Sequence, residues 1–166
     1  MSVGTLVPLA EYLATAYDPD VEYVDGVLVE RNVGDWLHSL IQRNLIVALS
    51  RKYPHLCAVP ELRSRTKETR YRLPDVSVLL SPPGTRFLLK AAHIAIEILS
   101  EDDRMSQVFE KLAEYEAAGI AHIWLVDPRL ELLSVYSAGN LGRVETLTTP
   151  DGIELTRKDV FAGKSA

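Results

Sequence analysis

"HIAIEILS" at residues 93–100 begins the part of the sequence that decides the fold. It is followed by "DRMSQVFEKLAEYEAAGI" at residues 103–120 and by "HIWLVD" at residues 122–127. The first and third segments are short and apolar, which is typical of buried strands. The middle segment has helical spacing, and its apolar stripe consists of Met105, Val108, Leu112 and Tyr115. Gly119 predicts the end of this helix. A strand, a helix and a second strand in this order predict a parallel crossover and an α/β fold.

The rest of the chain is predicted to form short helices and strands around this unit. Residues 8–17 predict an N-terminal helix, and Asp25-Gly26 predicts the tight turn of a β-hairpin within "VEYVDGVLVER". A second helix is expected to begin after the N-cap Asp35. Further strands are predicted at residues 55–66, 70–80, 132–138, 142–149 and 152–155, the first two paired as a hairpin, and a helical turn at 157–161. No repeat or linker divides the chain, so we expect one domain over residues 1–166.

The composition limits the class of protein. The chain has 166 residues, 47% of them hydrophobic and 25% charged, which is enough apolar material for a core and argues against disorder. Cys57 is the only cysteine, and the N-terminal segment lacks the pattern of a signal peptide, so we expect a reducing cytoplasmic location. His93 and Glu97 interrupt the apolar run "AAHIAIEILS", so no membrane-spanning helix is expected. The net charge of −5 argues against a uniformly basic surface, but not against a local basic patch.

Two carboxylates stand within strand-like apolar segments. Asp75 follows Pro74 in "RYRLPDVSVLL", residues 70–80, and Glu97 lies in the middle of "AIEILS". A buried charge is normally paired, so each carboxylate taken alone is expected to meet an arginine or backbone amides. If the two strands are neighbours, both carboxylates reach one point of the sheet. A hard divalent cation such as Mg²⁺ would relieve their repulsion there.

Two sets of cations lie near these carboxylates in the sequence. Lys111 lies on the helix after Glu97, beside the apolar stripe, where its ammonium either turns toward the strand ends or extends into water. The segment "RSRTKETRYR" carries the basic residues Arg63, Arg65, Lys67, Arg70 and Arg72. These residues either follow a phosphate backbone or are solvated charges that protect a strand edge from aggregation.

The motifs together resemble the Uma-two family of endonucleases, within the PD-(D/E)xK nuclease superfamily. The resemblance rests on "YVDGVLVE", His38 on a helix, "LPDVSVLL", "AIEILS", Lys111 in "EKLAEYEAAGI" and "HIWLVDP", in this order between Glu22 and Tyr136. It implies an α/β (α+β mixed) fold with a restriction-endonuclease-like core. In such a core a mixed central β-sheet is flanked by helices, here after an N-terminal helix and β-hairpin.

The resemblance also implies a set of site residues. Asp75 matches the aspartate of the "PD" motif and Glu97 the second acidic position, so both would bind Mg²⁺, or Mn²⁺ in its place. The backbone carbonyl of Ile98 is expected to join them. In the superfamily pattern a lysine usually stands two residues after the second acid, but this chain has Leu99 at that position. Lys111 is expected to replace it and to assist the attacking water.

Two further residues match positions that the family keeps near the site. His38 would orient a water or contact phosphate, although a helical histidine is more often structural, and Glu30 would be an outer ligand of metal or water. The chain departs from its relatives at Ser100-Glu101, where they often carry Ser-Pro, and at Gln107, where they often carry aspartate. These departures would change either the shape of the loop after the acidic strand or the properties of the site.

The function implied by the resemblance is metal-dependent hydrolysis of phosphodiester bonds in nucleic acid, with DNA as the expected partner. Two alternatives stay open. One is a catalytically silent module on the same fold that binds nucleic acid or protein. The other is a structural domain in which both acids pair with arginines. The apolar C-terminal strands either complete the sheet or form the edge of a homodimer.

Overall fold

The computed structural model of the chain describes residues 5–165. Its helices are α1 (Leu9–Ala14), α2 (Trp36–Lys52), α3 (Met105–Ala117) and α4 (Arg157–Phe161). Its strands are β1 (Glu22–Val24), β2 (Val27–Val29), β3 (Cys57–Pro60), β4 (Ser64–Lys67), β5 (Arg70–Arg72), β6 (Val76–Leu79), β7 (Ile94–Ile98), β8 (His122–Asp127), β9 (Leu132–Ser137), β10 (Asn140–Val144), β11 (Thr146–Thr148) and β12 (Glu154–Thr156). Within this range no helix has both the length and the apolarity that spanning a membrane requires.

A six-stranded mixed sheet forms the centre of the fold, in the order β10-β9-β8-β7-β6-β3. β7 and β8 are parallel and α3 connects them, which confirms the crossover predicted from residues 93–127. The other neighbouring strands of this sheet are antiparallel. A mixed central sheet was expected from the resemblance, and this expectation is confirmed.

Different helices cover the two faces of the central sheet. Successive side chains of a strand point to opposite faces, so neighbouring residues of β7 enter different clusters. On one face, Ile96 packs into the cluster that contains Ile41 and Leu45 of α2. On the other face, Ala95 packs into the cluster that contains Leu112 of α3. Burial of both faces explains why β7 and β8 are nearly continuous apolar runs.

The segments at residues 55–66 and 70–80 each contribute to two sheets. β3 and β6 pair in the central sheet, whereas β4 and β5 pair in a separate four-stranded sheet with β1 and β2. The prediction of one continuous hairpin is therefore wrong, although the two segments do pair. The chain passes between the sheets at residues 73–75, where Pro74 has no N–H to donate to a ladder. Asp75 thus lies at the junction immediately before β6 and not within a strand.

The N-terminal helix and hairpin are present as predicted. α1 ends at Ala14, earlier than predicted, because the next residue is extended. β1 and β2 meet at Asp25 and Gly26, whose φ angles of 50° and 93° lie in the left-handed region that a type I′ turn needs. Asp35 caps α2 as predicted, since its side chain accepts a hydrogen bond from the backbone N–H of His38 at 2.8 Å.

The C-terminal elements close the core beneath α2. The segment at residues 142–149, predicted as a single strand, is divided between β10 of the central sheet and β11, which pairs with β12. α4 follows β12 and begins with a capping box. Asn44 of α2 donates to the backbone carbonyls of Val160 and Ala162 at 2.9 and 2.7 Å, which fixes α4 against α2. Pairing of two copies through these strands stays a prediction.

Candidate active site

Asp75 and Glu97 meet across neighbouring strands of the central sheet. The register of β6 and β7 pairs Val76 with Ile96, so continuing it by one residue sets Asp75 opposite Glu97. The Oδ2 atom of Asp75 accepts a hydrogen bond from the backbone N–H of Ile98 at 2.7 Å, which fixes the carboxylate against β7. Both carboxylates are buried. The sequence-based expectation that they reach one point of the sheet agrees with this geometry.

Two side chains balance the negative charge of Asp75, one from the segment before α2 and one from α2 itself. Arg31 Nη2 lies 2.6 Å from Asp75 Oδ1, and His38 Nε2 lies 3.2 Å from the same oxygen. Burial alone would raise the pKa of Asp75, but the hydrogen bond from His38 and the charges of His38 and Arg31 lower it below its usual value. Asp75 is therefore a buried carboxylate that stays ionised.

Glu97 is less well compensated than Asp75. The hydroxyl of Tyr115 donates to Glu97 Oε1 at 2.5 Å, and Lys111 Nζ lies 3.7 Å from Oε2. Burial is the main cause that raises the pKa of Glu97, to about 7. The charge of Lys111 and the hydrogen bond from Tyr115 act against this rise, whereas repulsion from Asp75 and Glu22 adds to it. At neutral pH this carboxyl group is therefore divided between its protonated and ionised forms.

Lys111 turns into the site and not into solvent. Its Nζ atom lies 3.2 Å from Glu22 Oε1, in addition to its approach to Glu97. Burial alone would lower the pKa of this ammonium, but the charges of Glu97, Glu22 and Asp75 raise it above its usual value. Lys111 consequently remains a cation at neutral pH. The structure brings it to the two acids as expected from the resemblance.

Glu22 links the site to a buried ion-pair network that the sequence analysis missed. Glu22 accepts hydrogen bonds from Arg72 Nη1 and from the backbone N–H of Leu73, both at 3.0 Å. Arg72 also donates to both carboxylate oxygens of Glu114, at 3.0 and 2.7 Å. This network connects β1, β5 and α3, and thereby holds the four-stranded sheet against the helix that carries Lys111.

The sequence contains signals for two of the missed residues, Tyr115 and Glu22. Tyr115 lies on the predicted apolar stripe, and a buried tyrosine hydroxyl usually needs a hydrogen-bond partner. Glu22 alternates with Val21 and Tyr23 in the predicted hairpin, so it was a candidate for the opposite face of that strand. Arg31 gives no local signal, since it follows the hairpin in an irregular segment.

The basic segment at residues 63–72 is mostly committed to internal ion pairs. Arg63 is buried and pairs with Asp20, and its guanidinium carbon lies 4.3 Å from the centre of the Tyr12 ring. Arg70 pairs with Asp25 and Glu114, and Arg72 with Glu22 and Glu114. Both sequence interpretations, phosphate contact and solvated charge, are therefore wrong for Arg63 and Arg72. The exposed members are Arg65 and Lys67.

A cavity of about 350 Å³ opens over these side chains. Its lining includes Asp75, Glu97, Lys111, Glu22, His38 and Glu30. Glu30 is exposed at its rim, whereas His38 is held against Asp75. Ile98 also lines the cavity and contributes its N–H to Asp75, while binding of metal by its carbonyl stays a prediction. The structure thus gathers every sequence-predicted site residue around one cavity.

The oxygen atoms of this cavity suit a hard divalent cation. A carboxylate offers about four acceptor positions. Asp75 uses three of them in hydrogen bonds and ion pairs and Glu97 uses two, so positions remain on both. Ser100 lines the same cavity, and its buried Oγ has no hydrogen-bond partner within residues 5–165. These oxygen atoms are ligands of the kind that Mg²⁺ prefers, so they fit the Mg²⁺ that the resemblance implies.

The raised pKa of Glu97 predicts a pH dependence of stability in the absence of divalent cations. Below pH 4.5, its ordinary value, the carboxyl group is protonated in both the folded and unfolded chain. As the pH rises toward about 7 the unfolded chain releases this proton while the folded chain retains it, so the free energy of unfolding falls. Relative to Glu97→Gln, the wild type is expected to lose roughly 3 kcal/mol over this window.

Urea unfolding at several pH values between 4.5 and 8, with a chelator present, measures this difference. Glu145→Gln is the matched control, because Glu145 is exposed and its removal is expected to leave the pH dependence unchanged. Parallel pH profiles for the wild type and Glu97→Gln would contradict the prediction.

Comparison with known proteins identifies the family. The family model described as "Uma2: Putative restriction endonuclease" matches residues 9–165. The crystal structure of "a putative nuclease belonging to DUF820" from Anabaena variabilis is similar, with a TM-score of 0.81 and 24% sequence identity, over 94% of this chain and 98% of that chain. No protein with a curated description matches the sequence significantly. The restriction-endonuclease-like fold expected from the sequence is thus confirmed, and the chain belongs to the Uma2 family, the Uma-two family that its motifs resemble.

Proposed function

We propose that the chain is an endonuclease of the PD-(D/E)xK type that uses Mg²⁺, or Mn²⁺ in its place, to hydrolyse phosphodiester bonds in DNA. The description of the family and the name of the similar crystal structure support a nuclease. The observation that carries the proposal is the meeting of two buried carboxylates, Asp75 and Glu97, with the ammonium of Lys111 in an open cavity. Two carboxylates that share a buried site repel each other unless one of them is protonated or a cation lies beside them.

Asp75 and Glu97 would hold the cation in this proposal, together with the carbonyl of Ile98. When bound, a divalent cation favours ionisation of water and stabilises negative charge on a phosphate. Asp75 is already ionised and its orientation is fixed by the Ile98 N–H, so it is a preorganised ligand. Glu97 must lose its proton first, because its pKa of about 7 leaves it partly protonated at neutral pH.

Lys111 acts in the proposal as a fixed cation. Its raised pKa keeps the amine protonated, so it cannot take a proton from the attacking water. It can donate hydrogen bonds to that water or to a phosphate oxygen, where negative charge develops during hydrolysis. Glu22 also holds the ammonium of Lys111, with 3.2 Å between Nζ and Oε1.

His38 and Glu30 have supporting positions. The hydrogen bond between His38 and Asp75 raises the pKa of the histidine, against the effect of its burial, so His38 is charged over a wider pH range than an exposed histidine. It therefore positions Asp75 and adds positive charge beside an incoming phosphate. Glu30 at the rim is available to an outer water.

A catalytically silent module that binds nucleic acid or protein is the second candidate. Arg31 and His38 already balance the charge of Asp75 without any ion. Leu99 stands at the position where the superfamily pattern usually has its lysine. Such a module would keep the fold and the cavity but would need neither a divalent cation nor cleavage.

Calorimetric titration with Mg²⁺ and Mn²⁺, followed by cleavage of supercoiled plasmid DNA, tests the proposal. The wild type is expected to bind the ions and to nick the plasmid only in their presence. Asp75→Asn is expected to weaken binding of the ions at least about tenfold. Loss of a residue that only orients a metal ligand often has this effect, and Asp75 is itself a proposed ligand. Glu145→Gln, an exposed acid distant in sequence, is the control and should behave as the wild type.

Three results would count against the proposal. Absence of ion binding by the folded wild type, even with duplex DNA present, would favour the silent module. Equal binding by the wild type and Asp75→Asn would remove Asp75 from the ligands. Cleavage of RNA but not of DNA under the same conditions would replace the proposed substrate.

A further inference from the structure

A second group of ionisable side chains lies at the opposite end of the central strands from the candidate active site. His93 precedes β7 and His122 is the first residue of β8, so both lie where these parallel strands begin. Glu97 lies four residues further along β7, about 13 Å away at the rise of a strand. The group therefore shares no side chain with the cavity over Asp75 and Glu97.

Asp151 completes this group from the turn between β11 and β12. His93 Nε2 lies 3.0 Å from Asp151 Oδ2. The rings of His93 and His122 are arranged edge to face, with their centres 5.0 Å apart. One ligand atom from each of the three residues lies within 4.8 Å of the other two.

The backbone holds the three residues in place. The N–H of His93 donates to the carbonyl of Val78 at 2.9 Å, and the N–H of His122 donates to the carbonyl of His93 at 3.0 Å. In the turn, the N–H of Gly152 donates to the carbonyl of Thr149 at 3.0 Å. The site is therefore built on a strand pair and a closed turn, which is the support that a metal site needs.

We propose that His93, His122 and Asp151 bind Zn²⁺. Imidazole nitrogens and a carboxylate oxygen are ligands that Zn²⁺ favours, whereas Mg²⁺ and Ca²⁺ favour oxygen ligands alone. Tetrahedral bonds of about 2.1 Å require ligand atoms about 3.4 Å apart. His93 Nε2 and Asp151 Oδ2 are 3.0 Å apart, and all three ligand atoms lie within 4.8 Å of one another, so binding needs only side-chain adjustments. Three protein ligands leave a fourth position for water.

The proposed ion would join the turn of the β11-β12 hairpin to the central sheet, because its ligands come from both. A plain ion pair between His93 and Asp151 also joins these elements, but it does not use His122. Binding by all three residues is thus the feature that separates the zinc site from an ion pair. This proposal is independent of the proposed nuclease activity.

Titration of the metal-free protein with Zn²⁺ in competition with a chromogenic chelator tests the proposal. The wild type is expected to bind one ion at this site, and His122→Gln to bind it at least about tenfold more weakly. His55→Gln is the matched control, because His55 is exposed and lies outside the group. Glu97→Gln separates this site from the candidate active site and should retain the binding.

Substitution of Co²⁺ for Zn²⁺ adds a spectroscopic test. A tetrahedral site with nitrogen and oxygen ligands should give visible absorption bands that are lost in His122→Gln. Asp151→Asn provides a second variant if His122→Gln does not fold, because Asp151 is exposed in its turn. Equal Zn²⁺ affinity in the wild type and in a folded variant of either kind would overturn the proposal, as would lack of binding by the wild type.

Discussion

Replacing Arg72 with methionine is expected to lower the free energy of unfolding by about 3–5 kcal/mol, the usual cost of breaking a buried ion pair from one side. Arg72 is buried between Glu22 and Glu114, with nitrogen–oxygen distances of 2.7 to 3.0 Å. Methionine retains much of the apolar stem but leaves both carboxylates short of a cation. Urea unfolding at pH 7 measures the difference.

Arg70→Met is the matched control for this measurement. Arg70 also contacts Glu114, but its main partner is the exposed Asp25. Exposed ion pairs contribute about 0–1 kcal/mol, so the control is expected to change stability by no more than this. Equal effects of the two substitutions would contradict the importance assigned to the buried network.

The effect of Arg72→Met is also expected to depend on pH. Burial alone would raise the pKa of Glu114, but Arg72, Thr66 and Arg70 lower it below its ordinary value of 4.5. A carboxylate of this kind stabilises the fold above the pKa of the unfolded chain and loses that contribution as the pH falls. The difference between Arg72→Met and the wild type should therefore diminish below pH 4.5.

Local sequence patterns predict most elements of the fold because their causes are local. The Asp25-Gly26 turn, the Asp35 cap and the crossover from β7 to β8 each depend on residues close together in the chain. The chain changes from one sheet to the other at residues 73–75. This change depends instead on the strand with which each half of the segment at residues 70–80 pairs. Pro74 indicates an interrupted ladder, but it does not indicate a second sheet.

The same distinction applies to the candidate site. The sequence predicts that Asp75 and Glu97 meet if their apolar strands are neighbours, and β6 and β7 do pair in the structure. Lys111 lies on the next helix. Arg31 is 44 residues from its partner Asp75, and only the three-dimensional fold brings the two together. Arg31, which the sequence could not identify, makes the shortest of the three contacts to this buried carboxylate.

Replacing Lys111 with methionine is expected to slow metal-dependent DNA cleavage about 10²–10³-fold at saturating Mg²⁺, if the proposed function is right. This is the usual effect of removing one donor that stabilises charge in a transition state. The ammonium lies 3.7 Å from Glu97 Oε2, beside the proposed position of the cation and the attacking water. Its protonated state makes it a source of charge and not a base.

The structural role of Lys111 must be separated from its proposed catalytic role, because Glu22 and Glu97 both lose a cation in the methionine variant. Lys111→Arg retains the charge and is expected to recover part of the cleavage rate, whereas Lys90→Met, an exposed lysine, should have no effect. Unfolding curves show how much of each variant is folded under assay conditions. A folded Lys111→Met protein with full cleavage activity would show that the lysine only balances buried charge, and Lys111 would then be a residue that maintains Glu22 and Glu97 in the fold.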